Sequence, residues 1–319
     1  MKQANVRIVS WNINEADPKN IRYWLTGHDH ITNEPEKVLY VVGLLEIKHI
    51  ADKKYTHTSW TREIQRILGS NFSKISDKTL AGTAVLVFAR KNIRIKNVVA
   101  RSHFQKLSTV DPKYVKGGVS VNLMLNSKRL CFILAHLEAH DHNLEVRNEQ
   151  FRNVYKEAIL PSKTSLDLLT SCVKKSKSSE PDFVFFFGDL NYRCDGIENV
   201  ESRACMGGVE VCGKTKKFIV HEITKLVDSY DQLTHAMRGE EVIKYFQESE
   251  ITFLPTFKYD VGTSTFDTSK KQRTPAWCDR ILCKSVLPGK LEAKSYDSYH
   301  DYVISDHKPI GQNFMIYFE

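Results

Sequence analysis

The chain has 319 residues, of which 41% are hydrophobic and 26% are charged, values typical of a soluble globular protein with a sizeable core. Its formal net charge of +8 favours an anionic partner: nucleic acid, an anionic membrane surface or a multiply phosphorylated molecule. The 7 cysteines include no C-x-x-C pair, which argues against a disulfide framework or a structural zinc site and fits a reducing compartment.

The ends of the chain carry no recognisable targeting segment. Residues 1–6 lack an apolar signal region, residues 315–319 are not a prenylation motif, and no apolar run approaches the length of a membrane span. We therefore expect a cytoplasmic protein that, if it acts at a membrane, acts peripherally from the cytosolic face.

Strand patterns outnumber helical ones along the chain. Short apolar runs predict strands at 6–13, 38–45, 83–88, 93–99, 118–125, 130–134, 183–187, 280–283 and 313–318. Helical periodicity predicts helices at 60–68, 143–160, 162–173, 215–227 and 240–248. This balance predicts an α+β fold, a four-layer α/β/β/α sandwich of two mainly antiparallel sheets flanked by helices. The basic stretch 174–181 is expected to be a solvated loop within one domain spanning 1–319.

Polar side chains follow several of these strands at the point where the strand ends. They are Asn12, Glu46, His136, Asp189 and Asn191. Residues at the ends of different strands can surround one mouth of a sandwich, so the pattern predicts that these side chains converge.

The most informative run is 185–193, in which a phenylalanine-rich strand ends and is followed by Gly188, Asp189 and Asn191. Asp189 can orient and deprotonate a water molecule, and the amide of Asn191 can donate to a phosphate oxygen without adding negative charge. The alternative is a strand followed by an Asn/Asp/Gly turn.

The other strand-end residues also have two interpretations each. Glu46 can ligate Mg²⁺, which prefers oxygen ligands, or lie at the surface. Asn12 can help to ligate the metal, contact phosphate or cap a turn. His136 and His140 have the spacing of a helical zinc site, but the preceding apolar run indicates a strand. A His136 that contacts phosphate is favoured, with a structural histidine as the alternative.

A second constellation lies in 274–282 and 305–309. Asp279 and His307 can form a dyad in which the carboxylate favours the charged imidazole, and an imidazolium can offset negative charge on a transferring phosphate. Asp306 can reach a metal or its water shell. Between the phenylalanine-rich run and this constellation, a basic trio (Lys258, Lys271 and Arg273) can gather around a second phosphate or form an ordinary solvated charge run.

These residues give the chain a resemblance to the inositol polyphosphate 5-phosphatases of the endonuclease/exonuclease/phosphatase superfamily. The two most specific stretches are 187–193 and 275–282. Further matches occur in family order at 11–12, 43–46, 116–118, 136–140, 147–148, 255–260 and 305–309. The resemblance therefore covers a complete catalytic domain.

The resemblance implies a role for each matching residue. Glu46 would ligate Mg²⁺ with Asn12 beside it, and Asp189 would align the attacking water. Asn191 and His136 would hold the scissile phosphate, and His307, supported by Asp279, would stabilise its developing charge. The basic trio would recognise the 4-phosphate of the inositol ring, and Lys116 would lie towards its 1-phosphate.

Two positions depart from the family pattern. Phe257 stands where the family usually has tyrosine, which removes one hydroxyl from the expected 4-phosphate contacts. Val115 replaces the usual asparagine before Lys116, which weakens the expected contact with the 1-phosphate. All of the catalytic positions match, so we expect an active enzyme.

The sequence thus predicts a Mg²⁺-dependent phosphatase that removes the 5-phosphate from phosphoinositides, soluble inositol polyphosphates or both by in-line attack of water. Its expected partners are this substrate and an anionic membrane surface, and not nucleic acid. The alternatives are an abasic-site-type endonuclease on the same fold and a non-catalytic phosphoinositide-binding module. The second alternative predicts loss of at least one of Asp189, Asn191, Asp279 and His307, all of which are present.

Overall fold

A computed structural model describes residues 1–27, 36–50, 54–106, 115–160, 180–196 and 216–319. The strands are β1 (Gln3–Asn12), β2 (Lys37–Leu45), β3 (His49–Ile50), β4 (Lys54–Tyr55), β5 (Phe72–Leu80), β6 (Thr83–Arg90), β7 (Ile95–Lys106), β8 (Lys116–Leu125), β9 (Lys128–His136), β10 (Phe183–Asp189), β11 (Asp279–Ser285), β12 (Leu291–Ser298) and β13 (Ile310–Tyr317). The helices are α1 (Arg22–Thr26), α2 (Thr58–Leu68), α3 (Leu144–Ile159), α4 (Lys216–Tyr230) and α5 (Gln232–Gly239).

The strands form two large mixed sheets and one small hairpin. The first sheet has the order β12-β13-β1-β2-β6-β5, the second has the order β11-β10-β9-β8-β7, and β3 pairs with β4. β1 runs parallel to β2, and β9 runs parallel to β10. The other neighbouring strands in the two sheets are antiparallel, as predicted.

The alternation of side chains along β10 shows how the layers are held together. Phe185 faces the core between the sheets, where its ring stacks on Phe132 at 5.2 Å. Phe186 faces outward and packs against Phe151 of α3, with ring centroids 3.9 Å apart. On the opposite side of the molecule, Trp11 and Trp60 belong to a cluster that packs α1 and α2 on the first sheet. The predicted four-layer α/β/β/α sandwich is therefore confirmed.

The predicted elements differ from the structure in specific places. The helix predicted at 240–248 is wrong: a single 3₁₀ turn (Ile243–Tyr245) stands there, and Gln247 exchanges backbone hydrogen bonds with Cys283 of β11. The helix in this region, α5, lies just before the predicted segment. It begins at Gln232, because Asp231 caps it by accepting a hydrogen bond from the backbone N–H of Thr234. The helix predicted at 162–173 and most of the loop 174–181 lie outside the described residues.

β5 and β12 were not predicted from the sequence. Both are outermost strands of the first sheet and both carry many polar side chains, so neither shows an apolar run. None of the helices in the described part of the chain has the length and apolar character that a membrane span requires.

The topology brings several strand ends to one edge of the sandwich. The parallel strands β9 and β10 end in register at His136 and Asp189. The antiparallel β11 begins opposite the end of β10, so that Asp279 pairs with Asp189. β1 ends at Asn12 beside the last residue of β2, and Glu46 follows directly. The predicted convergence of polar residues thus has a topological cause.

Candidate active site

Two carboxylates and one amide form the first part of the site. The Nδ2 group of Asn12 donates to Oε1 of Glu46 at 3.0 Å and to Oδ2 of Asp189 at 3.1 Å. Its Oδ1 accepts from the backbone N–H of Asn14, which orients the amide. Glu46 adopts a left-handed backbone conformation with φ 52°, where the chain turns sharply after β2. This turn keeps its side chain beside the end of β1.

Gly188 allows Asp189 to reach this cluster. Its φ is +130°, and a Cβ at this position would collide with the carbonyl oxygen of Ala135 on β9. Glycine is therefore required for the close approach of β10 to β9 immediately before Asp189. Burial raises the pKa of Asp189, and the nearby Asp279 raises it further, against the opposing effects of His307, Lys116 and Asn12. A carboxylate with a raised pKa is a better general base.

His307 and Asp279 form the predicted dyad. Nδ1 of His307 lies 2.8 Å from Oδ2 of Asp279, and Nε2 lies 3.7 Å from Oδ2 of Asp189. Burial by itself would lower the pKa of His307, but Asp279 and Asp189 outweigh it and raise the pKa to about 10. The hydroxyl of Thr256 donates to the same oxygen of Asp279 at 2.7 Å. The imidazole is therefore charged at neutral pH and held in one orientation.

His136 is in the opposite protonation state. Its Nε2 lies 2.8 Å from Nζ of Lys116 and 3.5 Å from Oδ2 of Asp189. Burial, reinforced by Lys116 and His307, holds the pKa of His136 well below its usual range. The neutral ring therefore accepts a hydrogen bond from the Lys116 ammonium group and forms no ion pair with Asp189. Lys116 thus lies beside His136 in the cluster of polar residues, and its predicted contact with a 1-phosphate stays a prediction.

Asn191 lies in the turn after β10. Its backbone is left-handed with φ 56°, and its N–H donates to Oδ1 of Asp189. The side-chain Nδ2 donates to the carbonyl of Leu137 at 3.1 Å, and Oδ1 accepts from Arg193 at 2.7 Å. The two residues predicted to serve as base and phosphate donor are therefore linked through one short turn.

The basic trio lies on the segments beside the dyad. Nζ of Lys258 is 2.7 Å from Oδ2 of Asp306. Arg273 is held by its backbone N–H, which donates to Asp267, and the N–H of Asp267 in turn donates to the carbonyl of Lys258. Lys271 lies in the same loop with an exposed side chain. The structure therefore brings Lys258 and the Arg273 loop together through Asp267.

The Lys258 ion pair bears on the role predicted for Asp306. Burial would raise the pKa of Asp306, but His307 and Lys258 hold it below its usual range. The carboxylate is therefore ionised, and its described hydrogen bond is with a residue of the basic trio. A place for Asp306 in a metal's ligand or water shell stays a prediction.

The residues around Asn12 fit a hard divalent cation. The carboxylate oxygens of Glu46 and Asp189 contact the same amide nitrogen, and oxygen donors of this kind suit Mg²⁺ or Ca²⁺. Within the described residues, ligand atoms of Asp189, Asp279 and His307 also lie within 4.8 Å of one another. That second group suits a metal poorly, because a charged imidazole has no lone pair to offer. The Glu46 side of Asp189 is the better metal position.

Sequence reasoning did not assign roles to several residues that support the site. Thr256 holds Asp279, Arg193 holds Asn191, and the hydroxyl of Ser305 donates to the backbone carbonyl of Asn12 at 2.6 Å. All three lie inside the matching stretches 187–193, 255–260 and 305–309. The partners of Thr256 and Ser305 are 23 and 293 residues away, and the contact of Arg193 with the nearby Asn191 depends on how the turn after β10 folds, so only the structure reveals these roles.

Two mixed sheets with acids, amides and imidazoles gathered at one edge define the endonuclease/exonuclease/phosphatase class of folds. Residues 9–313 match the model of Endonuclease/Exonuclease/phosphatase family 2, and the chain belongs to this family.

Individual relatives support the resemblance to inositol polyphosphate 5-phosphatases. The chain is 28% identical to the type II inositol 1,4,5-trisphosphate 5-phosphatase of Mus musculus, over 96% of this chain and 29% of that protein. It is also 28% identical to phosphatidylinositol 4,5-bisphosphate 5-phosphatase A of Mus musculus, over 98% of this chain and 31% of that protein. The chain thus spans about three tenths of the length of these curated relatives.

A solved structure agrees with the fold. The inositol polyphosphate 5-phosphatase domain (IPP5C) of SPsynaptojanin, in complex with inositol (1,4)-bisphosphate and calcium ion, is 28% identical and superposes with a TM-score of 0.77. The match covers 99% of this chain and 84% of that domain. The predicted resemblance is therefore confirmed, whereas the extent of the catalytic domain as 1–319 stays a prediction.

Proposed function

We propose that this chain is a Mg²⁺-dependent phosphomonoesterase that removes the 5-phosphate from phosphoinositides such as phosphatidylinositol 4,5-bisphosphate, from soluble inositol polyphosphates, or from both. The observation that carries the proposal is the single cluster formed by Glu46, Asn12, Asp189 and the His307–Asp279 dyad. The names of the 5-phosphatase relatives supply the class of substrate.

Each side chain has a task that follows from its protonation state. Asp189, with its raised pKa, aligns a water molecule and accepts its proton. The remaining N–H of the Asn191 amide donates to a phosphate oxygen. The His307 imidazolium offsets the negative charge that develops on the phosphate during in-line attack. Catalysis then depends on positioning and charge neutralisation, without a covalent intermediate.

A divalent ion fits this chemistry. Glu46 would hold it beside Asp189, with Asn12 as a neighbour that contacts both carboxylates. When bound, Mg²⁺ would supply Lewis-acid stabilisation of a phosphoryl oxygen. It would also reduce the repulsion between a phosphorylated substrate and the site's own carboxylates.

The cationic side of the site suggests how the inositol ring is recognised. Lys258, Lys271 and Arg273 would bind the 4-phosphate, and Lys258 would exchange its bond with Asp306 for one with that phosphate. The net charge of +8 would favour peripheral binding to anionic bilayers at the cytosolic face, where each nearby Lys or Arg contributes about 1 kcal/mol.

The proposal is tested by measuring phosphate release from inositol 1,4,5-trisphosphate, inositol 1,4-bisphosphate and short-chain phosphatidylinositol 4,5-bisphosphate, with Mg²⁺ and with chelator. Release is expected from the two substrates that carry a 5-phosphate, in Mg²⁺ alone. Activity that persists in chelator would exclude the metal role. Cleavage of abasic duplex DNA at a matching rate would favour the endonuclease alternative.

A variant separates catalysis from binding. Asp189→Ala should abolish phosphate release while largely retaining affinity for inositol 1,4,5-trisphosphate, measured by calorimetry in Mg²⁺. Asp228→Ala is the matched control, because Asp228 is an exposed aspartate paired with Arg238 on the surface. Undiminished turnover in Asp189→Ala would remove Asp189 from its role. Binding without turnover in the wild-type protein would favour the non-catalytic alternative.

A further inference from the structure

Arg193 is a buried cation at the centre of the site whose role the proposed mechanism leaves open. Only 7% of its surface is exposed. Its Nη2 donates to Oδ1 of Asn191 at 2.7 Å, and its Nε donates to the backbone carbonyl of the same residue at 3.2 Å. Its own backbone N–H donates to Gln232 at 3.0 Å, which anchors Arg193 to the start of α5.

These contacts determine which way the Asn191 amide points. Oδ1 accepts from the Arg193 guanidinium, while Nδ2 donates to the carbonyl of Leu137. An amide turned by 180° would place N–H groups against the guanidinium and an oxygen against the carbonyl, so both contacts would become repulsive. One N–H of the amide is used by Leu137, and the described contacts leave the other for a ligand. Arg193 thus determines that Asn191 presents a donor to an anionic group.

The same guanidinium also reaches the other side of the site through Phe257. Cζ of Arg193 lies 4.7 Å from the centre of the Phe257 ring, within the range of a cation–π contact. The Phe257 ring lies 4.5 Å from the imidazole of His307, at an interplanar angle of 35°. Arg193 therefore touches Asn191 directly and packs on the ring that supports His307.

We propose that Arg193 is a positioning residue for phosphate hydrolysis: it holds the Asn191 amide with its N–H towards the phosphate and braces Phe257 against His307. The inference rests on the proposed function, because it assigns Asn191 and His307 to the scissile phosphate. A planar guanidinium can make both bonds to Asn191 and also stack on a ring, whereas a lysine ammonium group cannot reproduce this geometry.

The kinetic test compares Arg193→Lys and Arg193→Met with the wild-type protein on inositol 1,4,5-trisphosphate in Mg²⁺. Loss of a hydrogen bond from a charged donor predicts a fall in kcat of about 10- to 100-fold in both variants, with a much smaller change in KM. Arg152→Lys is the matched control, since Arg152 pairs with Glu240 on the outer side of α3 at 2.7 Å. An unchanged kcat in Arg193→Lys would overturn the proposal.

A double-mutant cycle separates positioning from general stabilisation. If Arg193 acts mainly through Asn191, Arg193→Lys should reduce kcat far less in the Asn191→Ala background than in the wild-type background. A merely structural arginine would give the same fold-loss in both backgrounds, and that result would also overturn the proposal. Melting temperatures of all variants would identify any that fail to fold.

A final readout needs no turnover, so its failure is distinct from failure of the 5-phosphatase proposal. The side-chain amide of Asn191 can be assigned by NMR from its loss in Asn191→Asp. We expect two sharp, separate N–H signals in the wild-type protein and exchange-broadened signals in Arg193→Met, because the amide is then free to turn. Signals that stay sharp and unshifted in Arg193→Met would contradict the positioning role even if no substrate is hydrolysed.

Discussion

Replacing Asp279 with asparagine is expected to change the charge of the dyad while preserving its shape. Oδ2 of Asp279 accepts from both His307 and Thr256, whereas Oδ1 is buried without a hydrogen-bond partner among the described residues. An asparagine can place its carbonyl oxygen at the Oδ2 position and its amide nitrogen at the Oδ1 position. His307 would then keep the hydrogen bond that its Nδ1–H donates to residue 279, but it would lose the neighbouring negative charge that favours protonation of the ring.

The magnitude follows from the pKa of His307. A pKa of about 10 instead of the ordinary 6.5 corresponds to roughly 5 kcal/mol of preference for the charged ring in the folded protein. Burial opposes this preference, and Asp279 is its largest source. Without the Asp279 charge we expect the pKa of His307 to fall, so that a larger fraction of the imidazole is neutral at pH 7.5. Loss of the imidazolium should reduce kcat about 10²- to 10³-fold.

The linked effect on stability has a definite sign. Folding raises the pKa of His307, so the protonated ring stabilises the folded protein. This contribution to the free energy of unfolding is fully present below pH 6.5 and is lost as the pH rises towards about 10. Asp279→Asn should remove this part of the pH dependence.

The assay is an NMR titration of the His307 ring from pH 5 to 11, combined with denaturant unfolding at pH 6.5 and 10. Asp228→Asn is the control, because Asp228 is an exposed aspartate on the surface. A His307 that still titrates near pH 10 in Asp279→Asn would show that Asp189 alone retains the proton, and the dyad argument would be wrong.

Three further predictions concern the backbone, acid stability and substrate selectivity. Gly188→Ala should destabilise the protein by about 3 kcal/mol, measured as a lower Tm, because φ is +130° at this position and the new Cβ would collide with Ala135. Gly239→Ala is the control: its Cβ would meet nothing within 4 Å, so Tm should change little. Burial lowers the pKa of His103 to about 4. The contribution of the neutral ring to the free energy of unfolding is therefore present above pH 6.5 and is lost as the pH falls towards 4. In His103→Gln, the fall in the free energy of unfolding between pH 6.5 and 4 should therefore be smaller by up to about 3 kcal/mol. An unchanged pH profile would contradict this prediction. Lys258→Met should raise KM about 10-fold or more for substrates with a 4-phosphate, and an equal rise for 5-phosphate substrates that lack it would exclude the selectivity role.

Much of the site was predictable because polar residues interrupt apolar strands. Asn12, Glu46 and Asp189 stand directly after or at the end of runs that are otherwise apolar. The parallel pairing of β1 with β2 brings Asn12 and Glu46 together, as the parallel pairing of β9 with β10 does for His136 and Asp189. The contact between Asn12 and Asp189 spans 177 residues, so spacing along the chain carries no information about it. The strand-end pattern predicted that these residues converge, and the family resemblance gave each of them a role.

The parts that were not predictable depend on tertiary contacts between polar groups. Lys258 and Asp306 were assigned to different ligands, yet 48 residues apart in sequence they form one ion pair. In the sequence, Lys116 is a charged residue near the start of a predicted strand. Only the antiparallel pairing of β8 with β9 in the structure places it against His136. The polar strand β12 shows no apolar run because it lies at the edge of its sheet.

The position of β13 has a consequence for synthesis of the protein. This strand lies between β12 and β1 in the six-stranded sheet, although β1 precedes and β13 follows every other strand of the two large sheets in the chain. While the ribosome is still translating, one edge of β1 must therefore stay unpaired, with its backbone groups open to other strands. The Trp11 indole likewise finds its acceptor, the carbonyl of His307, only after 296 further residues. The six-stranded sheet can therefore close only after β13 has been translated, and Trp11 reaches its full set of native contacts at the same late stage.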